Sequence, residues 1–210
     1  MEILVIGSHG KVGKYLVKFL SEAHEVRAMV RDKSQVPEME SLGGKPVVAN
    51  LEEDFSHAVK GADVVVFTAG SGGHTGADKT ILVDLLGAFR AVDESKNHGV
   101  KRFLMVSTLG TDDPNKKDEK RRHYFVAKAE ADKYLINSGL SYTIFRPGRL
   151  LDDAGTGNLD IGVKTGNSGT TRREDLAKAI ALSLSYPATE NKTLDVLDGN
   201  RPMEESFDAL

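Results

Sequence analysis

The chain of 210 residues contains no cysteine. That excludes disulfides, thiolate catalysis, thiolate-held zinc and iron–sulfur clusters, and it leaves the redox compartment open. No apolar run approaches the ~18 residues of a membrane span. The opening segment Met1-Glu2-Ile3-Leu4-Val5-Ile6-Gly7 has no basic leader and too short an apolar stretch for a signal peptide. A cytoplasmic protein with no membrane partner is therefore expected. Neither sign of charge dominates: 28 basic residues face 31 acidic ones, for a formal net charge of −3. This balance argues against a general nucleic-acid coat. The histidines at 9, 24, 57, 74, 98 and 123 show no metal-ligand spacing such as H-E-x-x-H, so no metal is expected. By position alone His74 and His123 fall near the site developed below, although solvated loop histidines are the ordinary case. A G-x-S-x-G elbow and a Walker lysine pattern are both missing, which argues against a hydrolase or an NTPase. There is no internal repeat and no low-complexity tract.

What is present is an alternation. At roughly 100–200 residues per domain the length suits one domain, and a chain of this size buries about 70% of its unfolded surface without staples. Short apolar runs alternate with longer segments of helical period, which predicts an α/β domain with a doubly wound parallel sheet covered on both faces. Expected strands are Ile3–Ile6, Val26–Val30, Pro46–Ala49, Asp63–Phe67, Arg102–Val106, Ser141–Phe145 and Thr193–Leu197. Val12, Leu16, Phe19 and Leu20 form one helical stripe. Further helices are expected over Thr80–Asn97, His123–Asn137 and Arg172–Ser185, the first two stopped by Gly99 and Gly139. Residues 149–170 look irregular and glycine-rich. The charge run from Asp112 to Arg122 reads as a solvated, mobile loop, or else as a lid. Its Lys120-Arg121-Arg122 is diluted by Asp118 and Glu119 and is not a nucleic-acid patch.

The first strand runs straight into Gly7-Ser8-His9-Gly10-Lys11-Val12-Gly13 and then a helix. G-x-x-G-x-x-G is weak as a bare pattern. Between a strand and a helix start it is the turn that binds a dinucleotide pyrophosphate. Gly7 permits the sharp turn, Gly10 admits the phosphates to the backbone, and Gly13 lets the helix pack close. Free N–H groups and the positive dipole end complete the cradle, so Gly7, Ser8, Gly10, Lys11, Val12 and Gly13 are the expected phosphate-binding residues.

Strand two ends in Arg31-Asp32-Lys33. An acidic residue there holds a ribose 2′-hydroxyl, whereas an arginine accommodates a 2′-phosphate. Arg31 comes first and Lys33 adds charge, so NADP is favoured over NAD. Ligands in such sheets sit at the carboxyl ends of strands. Asn50 and Leu51 after strand three are thus expected at the adenine, and Ala69, Gly70 and Ser71 after strand four against the ribose and phosphates.

Tyr124 and Lys128 are four apart, on one face of a helix. A lysine ammonium beside a phenol favours phenolate and brings its pKa toward neutrality. Ser107 and Thr108 close strand five and offer a hydroxyl to the same substrate oxygen.

Together Gly7-x-x-Gly10-x-x-Gly13, Arg31, Asn50-Leu51, Ala69-Gly70, Ser107-Thr108, Tyr124-x-x-x-Lys128 and Arg146-Pro147-Gly148 resemble a short-chain dehydrogenase/reductase. The glycine spacing resembles its atypical branch, NmrA-like or NAD-dependent epimerase/dehydratase-like, over nearly the whole chain. The resemblance implies a Rossmann fold and hydride transfer between a nicotinamide and a carbonyl or carbinol carbon of a small-molecule substrate. Tyr124 would be the acid/base. Lys128 would bind the nicotinamide ribose and tune Tyr124, and Ser107 or Thr108, with strand-end alignment leaning to Thr108, would bond the substrate oxygen. Pro147 and Gly148 would pack near the nicotinamide amide.

The same resemblance implies a monomer or a homodimer formed through the long helices. A reductase of a small carbonyl, quinone or flavin is the main expectation. The alternatives are a non-catalytic NADP(H) sensor and a sugar-nucleotide epimerase/dehydratase. The last is weakened by a substrate region reduced to about 149–170, by Asp84 where sugar-modifying relatives often carry asparagine, and by the charged insert before Tyr124.

Overall fold

Ile3, Leu4, Val5 and Ile6 are at most 1% exposed, as a strand must be when a parallel sheet is covered on both sides. Their alternation divides the core. Ile3 and Val5 join one hydrophobic cluster, while Leu4 and Ile6 join the other. The computed structural model describes residues 1–73 and 75–210, so His74 lies outside the described residues.

The chain begins with β1 (Glu2–Ile6), α1 (Lys11–Ser21), β2 (Glu25–Val30), α2 (Val36–Ser41), β3 (Lys45–Val48), α3 (Ser56–Val59) and β4 (Val64–Phe67). A helical segment follows in three pieces: α4 (Ala77–Lys79), a π-helical stretch (Thr80–Gly87) and α5 (Ala88–Asn97). Then come β5 (Arg102–Val106), α6 (Glu119–Ile136), β6 (Ser141–Pro147), β7 (Arg149–Leu151), β8 (Asn158–Gly162), β9 (Thr170–Arg172), α7 (Arg173–Ser183), β10 (Lys192–Pro202) and α8 (Met203–Asp208).

Eight strands form the main sheet in the order β3-β2-β1-β4-β5-β6-β10-β8. All pairs are parallel except β8 on β10, and β7 pairs with β9 in a small second sheet. Ile3 is opposite Val26 on one side and Val64 on the other. The strand order therefore reverses at β1, where the crevice of a doubly wound sheet opens. Leu16, Val17 and Leu20 of α1 pack on one face with Leu176 and Ile180 of α7 and Phe207 of α8. Ala88, Ala91 and Val92 of α5 pack on the other with Leu135 of α6 and with Phe67 and Phe103.

Three expectations need correction. The irregular stretch 149–170 contains β7 and β8 and reaches the start of β9; β7 and β9 are three residues long, and β8 sets its apolar residues among glycine and polar ones without a continuous apolar run. The final strand is longer than Thr193–Leu197. Through Val196 it pairs with β6, and its outer part pairs with β8 across a bulge between Asp198 and Pro202. The charged run is partly helix: Asp118 accepts the Lys120 N–H at 2.8 Å and caps α6, which starts at Glu119, four residues ahead of His123, with Glu119 in the favourable first turn.

Candidate active site

The glycine turn sits at the sheet's switch point. Gly7 has φ +87°, and a Cβ there would stand 2.6 Å from the Ala69 nitrogen, so both the turn and its neighbour demand glycine. A Cβ on Gly13 would lie 2.2 Å from the Gly7 oxygen; α1 presses directly on the turn. Gly10 differs. The one atom a Cβ would meet within 4 Å is the Gly7 oxygen, at 3.1 Å, which leaves its outer side open. Gly10 also provides no side-chain cap to α1, so the first-turn N–H groups are open to an anion.

The other turn residues face elsewhere. Buried Ser8 donates its hydroxyl to the Met29 carbonyl at 2.7 Å, tethering the turn to β2. Val12 belongs to the core. Lys11 reaches Asp152 at 2.6 Å, and the same carboxylate takes Arg173 at 2.6 Å.

A cleft of about 320 Å³ opens beside the turn. Its lining includes Gly7, Gly10, Arg31, Asn50, Leu51, Ala69, Gly70 and Ser71, all expected from the sequence. Arg90 fixes the wall after β3 by donating to the Leu51 carbonyl at 2.7 Å. Sequence reasoning missed His9, Gln35, Glu52 and Lys79 in the same lining. Gln35 is the informative one. Its Oε1 accepts the Arg31 N–H at 3.1 Å, and its Nε2 meets His9 Nδ1 at 3.2 Å. A capping pattern, Asp32 followed three residues later by Gln35, was the signal that could have found it.

The two candidates for the ribose differ in their surroundings. The Asp32 carboxylate accepts the Ser34 N–H at 2.7 Å and caps the short turn Lys33–Gln35; this bond holds its pKa below the usual range. Arg31 is exposed on the cleft wall.

At the ends of β5 and β6 the expected catalytic residues come together. Lys128 is 3% exposed and donates to the Val106 carbonyl at 2.7 Å. The Thr108 hydroxyl stands beside the Tyr124 phenol. Ser107 is buried instead, its hydroxyl without a hydrogen-bond partner among the described residues, next to Asp132. The expected lowering of the phenol is corrected: Tyr124 is pushed up to about 12, first by burial and then by the Asp84 carboxylate, while Arg121 and Thr108 act the other way. Burial likewise lowers Lys128, against the pull of Asp84 and Asp132.

Pro147 accepts the Leu109 N–H at 2.9 Å. Gly148 donates to Thr171 Oγ1 at 3.0 Å, and a Cβ there would be 2.4 Å from the Gly169 oxygen. Neither lines the cleft. Among the described residues no group of three or more His, Asp or Glu is arranged to hold a metal, and no helix is long and apolar enough to cross a membrane.

Residues 7–187 match the model of the NAD(P)H-binding family. The chain belongs to that family. This NAD(P)H-binding protein is 42% identical, over 100% of both chains, to a Bacillus subtilis protein named an uncharacterized sugar epimerase, YhfK. Among solved structures it is similar to a Bacillus halodurans protein provisionally named a NAD-dependent epimerase/dehydratase, with 46% identity, 100% of both chains covered and a TM-score of 0.96. It is also similar to the oxidoreductase ylbE of Lactococcus lactis, at 29% identity and a TM-score of 0.90, with 100% of this chain and 96% of that chain covered. The fold and these relatives make it an atypical short-chain dehydrogenase/reductase of NmrA-like type, a Rossmann-fold protein for a nicotinamide cofactor. The open outer side of Gly10, beside an uncapped helix start, fits such a group.

Proposed function

We propose that the protein is an NADP(H)-dependent oxidoreductase that reduces a small carbonyl, quinone or flavin compound. The observation that carries this reading is the convergence of Tyr124, Thr108 and buried Lys128 at the carboxyl ends of β5 and β6, on the same sheet edge as the glycine turn. Backbone groups at Gly7 and Gly10, with the start of α1, hold the pyrophosphate. Asn50 and Leu51 flank the adenine, and Ala69, Gly70 and Ser71 lie along the ribose and phosphates. Arg31 takes the 2′-phosphate; in support, Asp32 is already engaged as a helix cap while Arg31 faces the cleft. Residues 149–170 supply the substrate side, with Pro147 and Gly148 near the nicotinamide end.

When bound, the nicotinamide supplies hydride. Lys128, which uses one of its three N–H groups on Val106, has donors left for the nicotinamide ribose. Thr108 orients the substrate oxygen, and Tyr124 donates the proton to it. A phenol held up to about 12 is protonated throughout the neutral range, so Tyr124 has a proton to give, as a weaker acid than a phenol tuned toward neutrality.

Sugar epimerisation is the second reading, favoured by the names of two relatives. It needs Tyr124 as a base, and the raised phenol opposes that. The test is NADPH consumption against panels of carbonyls, quinones and flavins, with nucleotide sugars assayed for epimers. Turnover of a carbonyl or quinone that falls ~10²–10⁴-fold in Tyr124→Phe supports the reading. No turnover in any panel, or turnover indifferent to Tyr124, sinks it.

A further inference from the structure

Glu52 and Lys79 both line the cleft, and the reading above gives neither a part. The Lys79 ammonium, on α4, donates to both oxygens of the Glu52 carboxylate, at 2.7 and 2.8 Å. The pair joins the loop after β3 to the segment after β4, next to Asn50 and Leu51. Arg90 fixes the backbone on either side of Glu52: it donates to the Leu51 carbonyl at 2.7 Å and to the Glu53 carbonyl, with its guanidinium 5.4 Å over the Phe55 ring. The Glu52 N–H itself donates to Asn50 Oδ1 at 3.1 Å. The Lys79 and Glu52 side chains are 42% and 28% exposed, and a pair so open to water adds little to stability. Folding does not call for such fixed placement; a ligand that must be met in one orientation does.

The Asn50 amide is turned into its own loop. Its Oδ1 is taken by Glu52, and its Nδ2 lies 3.5 Å from Glu53 Oε1. Around the pair the lining is apolar, with Ala49, Leu51, Ala69 and Val83. Leu51 is seated on the π-helical stretch, where a Cβ on Gly87 would stand 3.2 Å from its Cδ1. Apolar walls beside a fixed donor and acceptor suit a planar heteroaromatic base. A carboxylate that accepts from one ammonium keeps lone pairs free, and the ammonium keeps a third N–H. The two therefore present an acceptor next to a donor. Adenine offers the complement, an exocyclic amino group next to an accepting ring nitrogen. Hypoxanthine offers the reverse, a carbonyl next to a ring N–H.

We propose that Glu52 and Lys79 are specificity-determining residues that read the base of the dinucleotide, Glu52 as acceptor for the adenine amino group and Lys79 as donor to the neighbouring ring nitrogen. The proposal rests on the cofactor placement in the reading above. It is independent of the substrate and of Tyr124.

The probes are NADPH and its hypoxanthine counterpart, titrated into the full protein and followed by nicotinamide fluorescence. Both carry the same charge, so a change in the overall field of the cleft cancels in the ratio of their dissociation constants. The parent is expected to bind NADPH at least about tenfold more tightly, since a site that hydrogen-bonds one edge rejects its reverse. Glu52→Gln, whose amide can also donate to a carbonyl, is expected to lose most of that preference, and Lys79→Met to lose part of it. Circular dichroism confirms that both variants are folded. Equal binding of the two probes by the parent, or a preference unchanged in folded Glu52→Gln or in folded Lys79→Met, overturns the proposal and leaves the cofactor reading standing. Binding of neither probe by the parent contradicts that reading, and the proposal falls with it.

Discussion

Arg146 Nη2 meets Asp132 Oδ2 at 3.0 Å with both side chains buried, while Nη1 of the same guanidinium holds exposed Asp112 at 2.7 Å. One arginine at the end of β6 thus ties α6 and the start of the charged run to the sheet. Thr111 adds a bond to Asp132 at 3.1 Å. Removing one partner of a buried pair strands the other charge, which costs about 3–5 kcal/mol. Arg146→Leu is therefore expected to lose that much in urea unfolding. Asp112→Asn, in contact with solvent, is expected to lose about 0–1 kcal/mol. Equal effects from the two would contradict the ranking.

The glycines of the turn are predicted to separate folding from binding. A Cβ on Gly13 meets the Gly7 oxygen at 2.2 Å, so Gly13→Ala must push α1 off the turn and lower the unfolding midpoint by several degrees. Gly10→Ala meets a single atom, at 3.1 Å, and should keep the fold. It should weaken nicotinamide cofactor binding at least tenfold, about 1.4 kcal/mol. A Gly10→Ala protein with unaltered affinity in a fluorescence titration would remove the pyrophosphate from this turn.

Much of this was legible in the sequence because parallel strands must be apolar throughout. Ile3–Ile6 and Arg102–Val106 announced themselves, and the order of alternation implied the doubly wound sheet. Arg31, Asn50, Leu51, Ala69, Gly70 and Ser71 followed from strand ends, whereas Gln35, Glu52 and Lys79 of the same cleft did not. What escaped notice has local physical causes. Strands β7 and β9 run three residues each, and five-residue β8 alternates polar with apolar residues instead of forming the continuous apolar run of the buried parallel strands. The start of α6 was hidden by charge, because Glu119 to Arg122 lie on its solvated first turn. Tyr124 was misjudged on electrostatics. Sequence spacing pairs it with Lys128, but burial and Asp84 control the phenol.

That control predicts a pH dependence. The Tyr124 phenol is raised by burial first and by Asp84 second, to about 12. Its protonated form, the donor for reduction, is complete at every pH well below that value. Reduction should thus show no fall assignable to Tyr124 between about pH 6 and about pH 10. The reverse oxidation needs the phenolate, whose fraction grows tenfold per unit over the same window. Initial rates in both directions, once a substrate is found, check the two slopes. An oxidation rate level across this range would contradict the raised phenol.

Use of the phosphorylated cofactor is open to a paired titration. Purified protein and Arg31→Ala are titrated with NADPH and with NADH by fluorescence. The account predicts that the parent prefers NADPH at least tenfold, about 1.4 kcal/mol, and that Arg31→Ala loses this preference while binding NADH as before. Equal affinities in the parent, or a preference for NADH, would contradict it and return the ribose to Asp32.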